Sequence, residues 1–214
     1  MKTGVLASGS GSNLQSLIDN WQKGTLAPAE LVVVGANVES CLALERAQKA
    51  GIETFVLSHK AFAAREDFDR ALVAELRKRG VELVVLAGFM RVLTPAFLDA
   101  FPKRVINIHP ALLPAFPGTH GQKQAFDYGV KVSGCTVHFV DAGTDTGPII
   151  AQAVVPVLPD DTEETLQKRI LVEEHRLLPA AVRTVAAGKV SVEGRRVRVE
   201  ASAAFSDGRL RSLV

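Results

Sequence analysis

Apolar positions along the chain follow two rhythms that alternate. Short, almost unbroken apolar runs at residues 3–7, 31–35, 54–57, 83–87 and 105–108 have strand length and no polar face. That is the pattern of strands buried on both sides. Between them, apolar residues recur at helical spacing. Leu14, Leu17, Ile18 and Trp21 mark one helix face, and Phe68, Leu72 and Leu76 mark another within residues 66–79. A further helix is predicted over 41–50. Gly51 and Gly80 stand where helices stop. The alternation predicts βαβ units and a parallel sheet.

Thr94-Pro95 predicts a helix start, with a hydroxyl at the N-cap and proline at the first helical position, the helix ending near Phe101. A proline-rich segment, 109–118, follows the fifth strand. Residues 120–128 read as a helix stopped by Gly129. Beyond Gly129 the rhythm changes. Strand patterns at 135–140 and 149–157 succeed one another without a helix, so some pairing is expected to be antiparallel. Asp161-Thr162-Glu163-Glu164 caps a long helix over about 165–187. A hairpin spans 190–199 with its turn near Glu193-Gly194, and residues 201–214 carry no clear pattern. Together these elements give an α/β fold. It has a mostly parallel twisted sheet flanked by helices and a mixed or antiparallel C-terminal part.

Charge and composition narrow the function classes. With 25 basic and 23 acidic residues the net charge is +2, which gives no whole-protein attraction for nucleic acid or membrane. The basic stretch at 195–198 alternates with valine and reads as a strand with one solvated face. Cys41 and Cys135 form neither a CxxC pair nor a zinc spacing, and buried thiols are expected. No run approaches the ~18 apolar residues of a membrane helix, and the opening apolar run is too short for a secretory signal. A reduced, cytoplasmic setting is expected, and the pattern asks for no metal.

Gly9-Ser10-Gly11-Ser12-Asn13 lies between a strand and a helix. Unpaired N–H groups at a helix start bind phosphate, and glycine lets a ligand approach the backbone. A dinucleotide fingerprint would need glycine at position 14, where Leu14 stands, and the second strand leads into Asn37 rather than an acidic ribose ligand. A phosphate monoester suits the loop better than a dinucleotide. A plain tight turn is equally open.

The strongest local signal is Asn107-Ile108-His109-Pro110 at the C-terminal end of a predicted parallel strand, where open α/β sheets place their chemistry. Residues two apart on a strand share a side. Asn107 would donate to a developing oxyanion and His109 would transfer protons. A second polar cluster, residues 141–145, follows a β segment. Asp145 there is either a turn residue or the partner of an imidazole.

These residues carry a resemblance. Residues 8–15 (SGSGSNLQ), 88–91 (GFMR), 107–110 (NIHP), 112–118 (LLPAFPG) and 145–149 (DTGPI) occur in the order and spacing of the phosphoribosylglycinamide formyltransferase family. The resemblance runs from the first strand to about residue 188. It implies a formyltransferase fold as a single domain over 1–200. Residues 1–106 would form a Rossmann-like phosphate-binding half, 107–200 a catalytic and folate-binding half, and 201–214 a tail. It implies formyl transfer from 10-formyltetrahydrofolate to the amine of glycinamide ribonucleotide, on the way to purines. It also implies small-molecule partners only, no metal, and a monomer or homodimer.

Residue by residue, the resemblance implies that Gly11, Ser12 and Asn13 hold the ribonucleotide phosphate and that Glu174 binds the same substrate. Arg65 and the segment Met90, Arg91, Val92 and Leu93 would contact the folate. The loop Asp141, Ala142, Gly143, Thr144 and Asp145 would embrace its pterin end. Asn107, His109 and Asp145 match the catalytic trio, with Asp145 expected to favour a charged His109. Taken alone, Glu174 reads as a solvated helix charge. Leu171, Ala142 and Thr144 depart from residues common in the family. Methionyl-tRNA formyltransferase and formyltetrahydrofolate hydrolase resemble the core but bring, respectively, an extra C-terminal and an extra N-terminal domain, which this sequence does not suggest. A phosphosugar-binding module without catalysis would not require the trio.

Overall fold

The computed structural model describes residues 1–200 and the backbone of residues 211 and 212. The chain forms two compact units, Met1–Asn107 and Ile108–Val214. In the first, β1 (Lys2–Ala7), β2 (Glu30–Ala36), β3 (Glu53–Val56), β4 (Leu83–Leu86) and the start of β5 (Val105–His109) alternate with α1 (Ser12–Gln22), α2 (Leu42–Lys49), α3 (Arg65–Lys78) and the single turn α4 (Pro95–Leu98). The strands lie in the order β3-β2-β1-β4-β5, and every pairing is parallel. Val5, Leu6, Val33, Val34, Val84 and Val85 are fully buried, as strands covered on both faces require. Leu14, Leu17 and Ile18 of α1 and Phe68, Leu72 and Leu76 of α3 turn into this core.

The helix expected after Thr94 is shorter than its pattern suggests, and it is not capped as expected. The Thr94 hydroxyl makes no capping bond. Instead the buried Asp69 carboxylate on α3 accepts the Thr94 N–H at 2.6 Å, which ties the preceding loop to a neighbouring helix.

In the second unit, α5 (Gly121–Tyr128) ends on left-handed Gly129. β6 (Val132–Phe139) then pairs antiparallel with β7 (Ile149–Pro156). Their register shifts between Val137 and His138, where a bulge re-aims the strand end. α6 (Glu163–Ala186) opens with a capping box between Thr162 and Thr165 and packs on β6 and β7. β8 (Val190–Glu193) and β9 (Arg196–Val199) form the expected hairpin, with Val197 buried and Arg196 and Arg198 exposed. The pattern-free reading of 201–214 has one exception. The backbone of β10 (Arg211–Ser212) pairs antiparallel with β7, and the rest of that segment lies outside the described residues. Cys41 and Cys135 are both buried. Among the described residues no helix is long and apolar enough to cross a membrane.

Candidate active site

β5 carries the two polar residues singled out in its motif. Asn107 is half-buried and pairs in register with Leu86 of β4, while His109 closes the strand with 3% exposure. Standing two apart, they share a side of the strand.

Around His109 the second unit gathers three further groups. Nδ1 faces Asp145 Oδ2 at 3.3 Å, and Nε2 faces the Phe116 carbonyl at 2.8 Å. The other Asp145 oxygen, Oδ1, stands 3.6 Å from His138 Nε2, within ion-pair range. His138 Nδ1 in turn lies 2.8 Å from the Phe139 carbonyl. One carboxylate thus sits between two imidazoles, and each ring turns its other nitrogen to a backbone carbonyl. Asp145 also accepts the Gly118 N–H at 2.8 Å. His138 escaped the sequence reading because every residue of β6 after Val132 is buried, so it sits in a run without alternation. A histidine inside such a strand needs a polar partner, and that requirement was the available signal.

The electrostatics differ from the sequence expectation at one point. Burial pushes the His109 pKa down. The Asp145 charge and the Phe116 carbonyl push it up, and a charged His138 opposes them. The net value lies below the ordinary 6.5. His109 is therefore mostly neutral at pH 7, because desolvation outweighs the attraction of Asp145. Burial also pushes Asp145 up. Contact with His138, the Gly118 N–H and positive charge at His109 more than offset this and hold the carboxyl below its ordinary value. It is ionised at neutral pH.

The loop that presents Asp145 is braced internally. Asp141 Oδ1 accepts the Gly143 N–H at 3.1 Å and the Thr146 hydroxyl at 2.6 Å. Arg195 at the hairpin turn donates to the Thr146 carbonyl at 2.8 Å. A side chain at Gly147 would run into the Phe139 carbonyl. Ala142, Gly143 and Thr144 form the exposed crest of the loop. Glu174 on α6 has 5% exposure, so it is not the solvated charge that its position on a helix suggests. Α6 buries the face on which it stands.

The remaining residues belong to the first unit. Gly11 caps α1 in the left-handed region at φ 68°, and Ser12 and Asn13 form the first turn. The Ser8 hydroxyl donates to Asn37 Oδ1 at 2.6 Å and accepts the Met90 N–H at 2.9 Å, joining the start of the glycine turn to the loop after β4. On that loop Met90 and Val92 expose apolar side chains, at 69% and 51%, while Arg91 is half-buried and Leu93 is buried. Arg65 opens α3 and is exposed.

Comparison with known proteins gives a consistent family. Residues 1–182 match the formyl transferase family model. A phosphoribosylglycinamide formyltransferase of Mycobacterium tuberculosis is 53% identical over 191 residues, covering 89% of this chain and 87% of that protein. The trifunctional purine biosynthetic protein adenosine-3 of Drosophila melanogaster is 51% identical over 182 residues, and the aligned region spans only 14% of its length. A crystal structure of glycinamide ribonucleotide transformylase 1 from Symbiobacterium toebii superposes with a TM-score of 0.91 at 51% identity, covering 93% of each chain. The chain belongs to the formyl transferase family and, within it, to the phosphoribosylglycinamide formyltransferases.

Proposed function

We propose that the chain transfers the formyl group of 10-formyltetrahydrofolate to the amine of glycinamide ribonucleotide, giving formylglycinamide ribonucleotide and tetrahydrofolate in purine biosynthesis. The observation that carries this reading is the buried His109 held between Asp145 and a backbone carbonyl, two residues from Asn107 on β5. The reaction joins the amine nitrogen to the formyl carbon and breaks the bond from that carbon to the folate nitrogen. One proton leaves the amine and one reaches the folate nitrogen.

The side chains divide this work. Asn107 donates its amide to the oxygen that gains charge as the amine attacks. His109, neutral at rest, takes the proton shed by the amine, and the ionised Asp145 stabilises the imidazolium so formed. The same ring then returns the proton towards the leaving nitrogen. No side chain need form a covalent formyl intermediate. The exposed apolar Met90 and Val92 side chains suit a flat folate ring, with the 141–145 loop at its pterin end. Arg65 suits the acidic end of the folate. Amides of Gly11, Ser12 and Asn13 would hold the phosphate, and Glu174 would bind the same substrate. This reading places the enzyme in the cytoplasm, as a monomer or homodimer built on one domain over 1–200.

The test is the absorbance change on mixing the protein with a 10-formyl folate and glycinamide ribonucleotide. Turnover that requires the ribonucleotide supports the reading. Folate release without it would make the chain a hydrolase, and no turnover would make it a binder.

A further inference from the structure

Two carbonyls of the glycine turn are held from α2. The Ala43 N–H donates to the Gly9 carbonyl at 3.2 Å, and Arg46 Nε donates to the Ser10 carbonyl at 2.9 Å. Nη1 of the same guanidinium donates to Gln15 Oε1 on α1 at 3.0 Å. Gly11 comes next, and a Cβ there would stand 2.7 Å from Ala43 Cα. The turn is seated against α2, and one side chain bridges its carbonyl side to the helix that it opens.

We infer that Arg46 is a positioning residue for the substrate phosphate, aiming the amide of Gly11 through the carbonyl of Ser10. The inference rests on the proposed phosphate role of this loop. The Ser10 C=O and the Gly11 N–H belong to one planar trans peptide and point in opposite directions. A donor that fixes the carbonyl towards α2 therefore fixes the N–H away from it. The Ala43 contact does the same for the peptide between Gly9 and Ser10. Charge on the guanidinium also polarises the peptide in the sense that strengthens its N–H as a donor. Gln15 keeps the fork from swinging away. Lysine would retain the charge but not the planar fork that reaches both acceptors. The ligand class is a phosphate monoester, and Arg46 acts on it through the backbone.

Calorimetric titration of the full chain with glycinamide ribonucleotide, and with the same compound lacking its phosphate, tests this. The wild type should prefer the phosphorylated ligand. Arg46→Met should lose about ten-fold or more of that preference, the scale of a charge-assisted hydrogen bond, and should weaken the dephosphorylated ligand far less. Arg46→Lys should recover only part of the loss. The KM for the folate should move much less than the KM for the ribonucleotide. A folded Arg46→Met protein that keeps the full preference overturns the inference, as does equal weakening of both ligands. If Arg46→Met does not fold, Arg46→Lys decides, since an unchanged preference in it is equally contrary. A wild type indifferent to the phosphate removes the phosphate reading itself, and the inference with it.

Discussion

Asp145 Oδ2 stands 3.3 Å from His109 Nδ1, on a ring whose other nitrogen faces the Phe116 carbonyl at 2.8 Å. A neutral imidazole has one N–H to offer these two acceptors. A proton gained by His109 completes the second hydrogen bond, while burial keeps the resting ring neutral. Both acceptors come from strained backbone. Phe116 and Asp145 adopt φ of 55° and 54°, in the left-handed region that such residues rarely enter.

Asp145→Asn preserves size and removes the charge that raises the His109 pKa. The acid limb of the kcat/KM profile should move to lower pH, and kcat should fall by about 10²-fold or more. Steady-state rates from pH 5 to 9 check this. An unmoved limb would separate Asp145 from His109.

His138→Gln should move the same limb the other way. It removes a ring whose charge, when protonated, depresses His109. The limb should shift to higher pH, with a smaller loss of kcat than in Asp145→Asn. The opposite directions distinguish the parts of Asp145 and His138 in one experiment.

Stability should fall as the solution is acidified through the histidine range. The folded pKa of His109 lies below 6.5. The unfolded chain therefore binds more protons between the folded value and 6.5. The His109 contribution is complete above 6.5 and is lost as pH falls towards the folded value. Asp145 acts in the same direction at lower pH, its contribution being lost as pH falls below 3.8. Denaturation midpoints should decline below pH 6.5, and His109→Asn should flatten that part of the curve.

Asp69→Ala should destabilise the loop that carries Met90 and Val92. It strands the Thr94 N–H without its 2.6 Å acceptor, at a cost of about 1–3 kcal/mol. Asp69→Asn retains an acceptor and should cost less. Urea unfolding of both variants measures the difference.

Much of the fold was legible because the central parallel strands β1, β2 and β4 are buried on both faces. The run 83–87 has no polar position to confuse it, and Gly51, Gly80 and Gly129 end their helices as the pattern indicates. Within the site, Asn107 and His109 were legible as a pair at a strand end. Asp145 was legible only as either a turn residue or an imidazole partner, and the resemblance favoured the second. What stayed hidden depends on tertiary contact. His138 acquires its role from a carboxylate on another loop, Glu174 is buried by its helix packing, and the net charge preference of His109 depends on how far it is desolvated. The Asp69 contact at Thr94 joins residues 25 apart, so it was invisible to a local capping rule.

The most direct test of the account is the turnover number of His109→Asn at saturation with both substrates, measured beside substrate Kd values and the melting temperature. A catalytic His109 should give a fall of roughly 10² to 10⁴ in kcat, with binding and folding close to wild type. Adding Asn107→Ala and Asp145→Asn should cost far less than the product of the single losses if, as proposed, all three serve one transition state. A folded His109→Asn enzyme that binds both substrates and turns over at near the wild-type rate would contradict it.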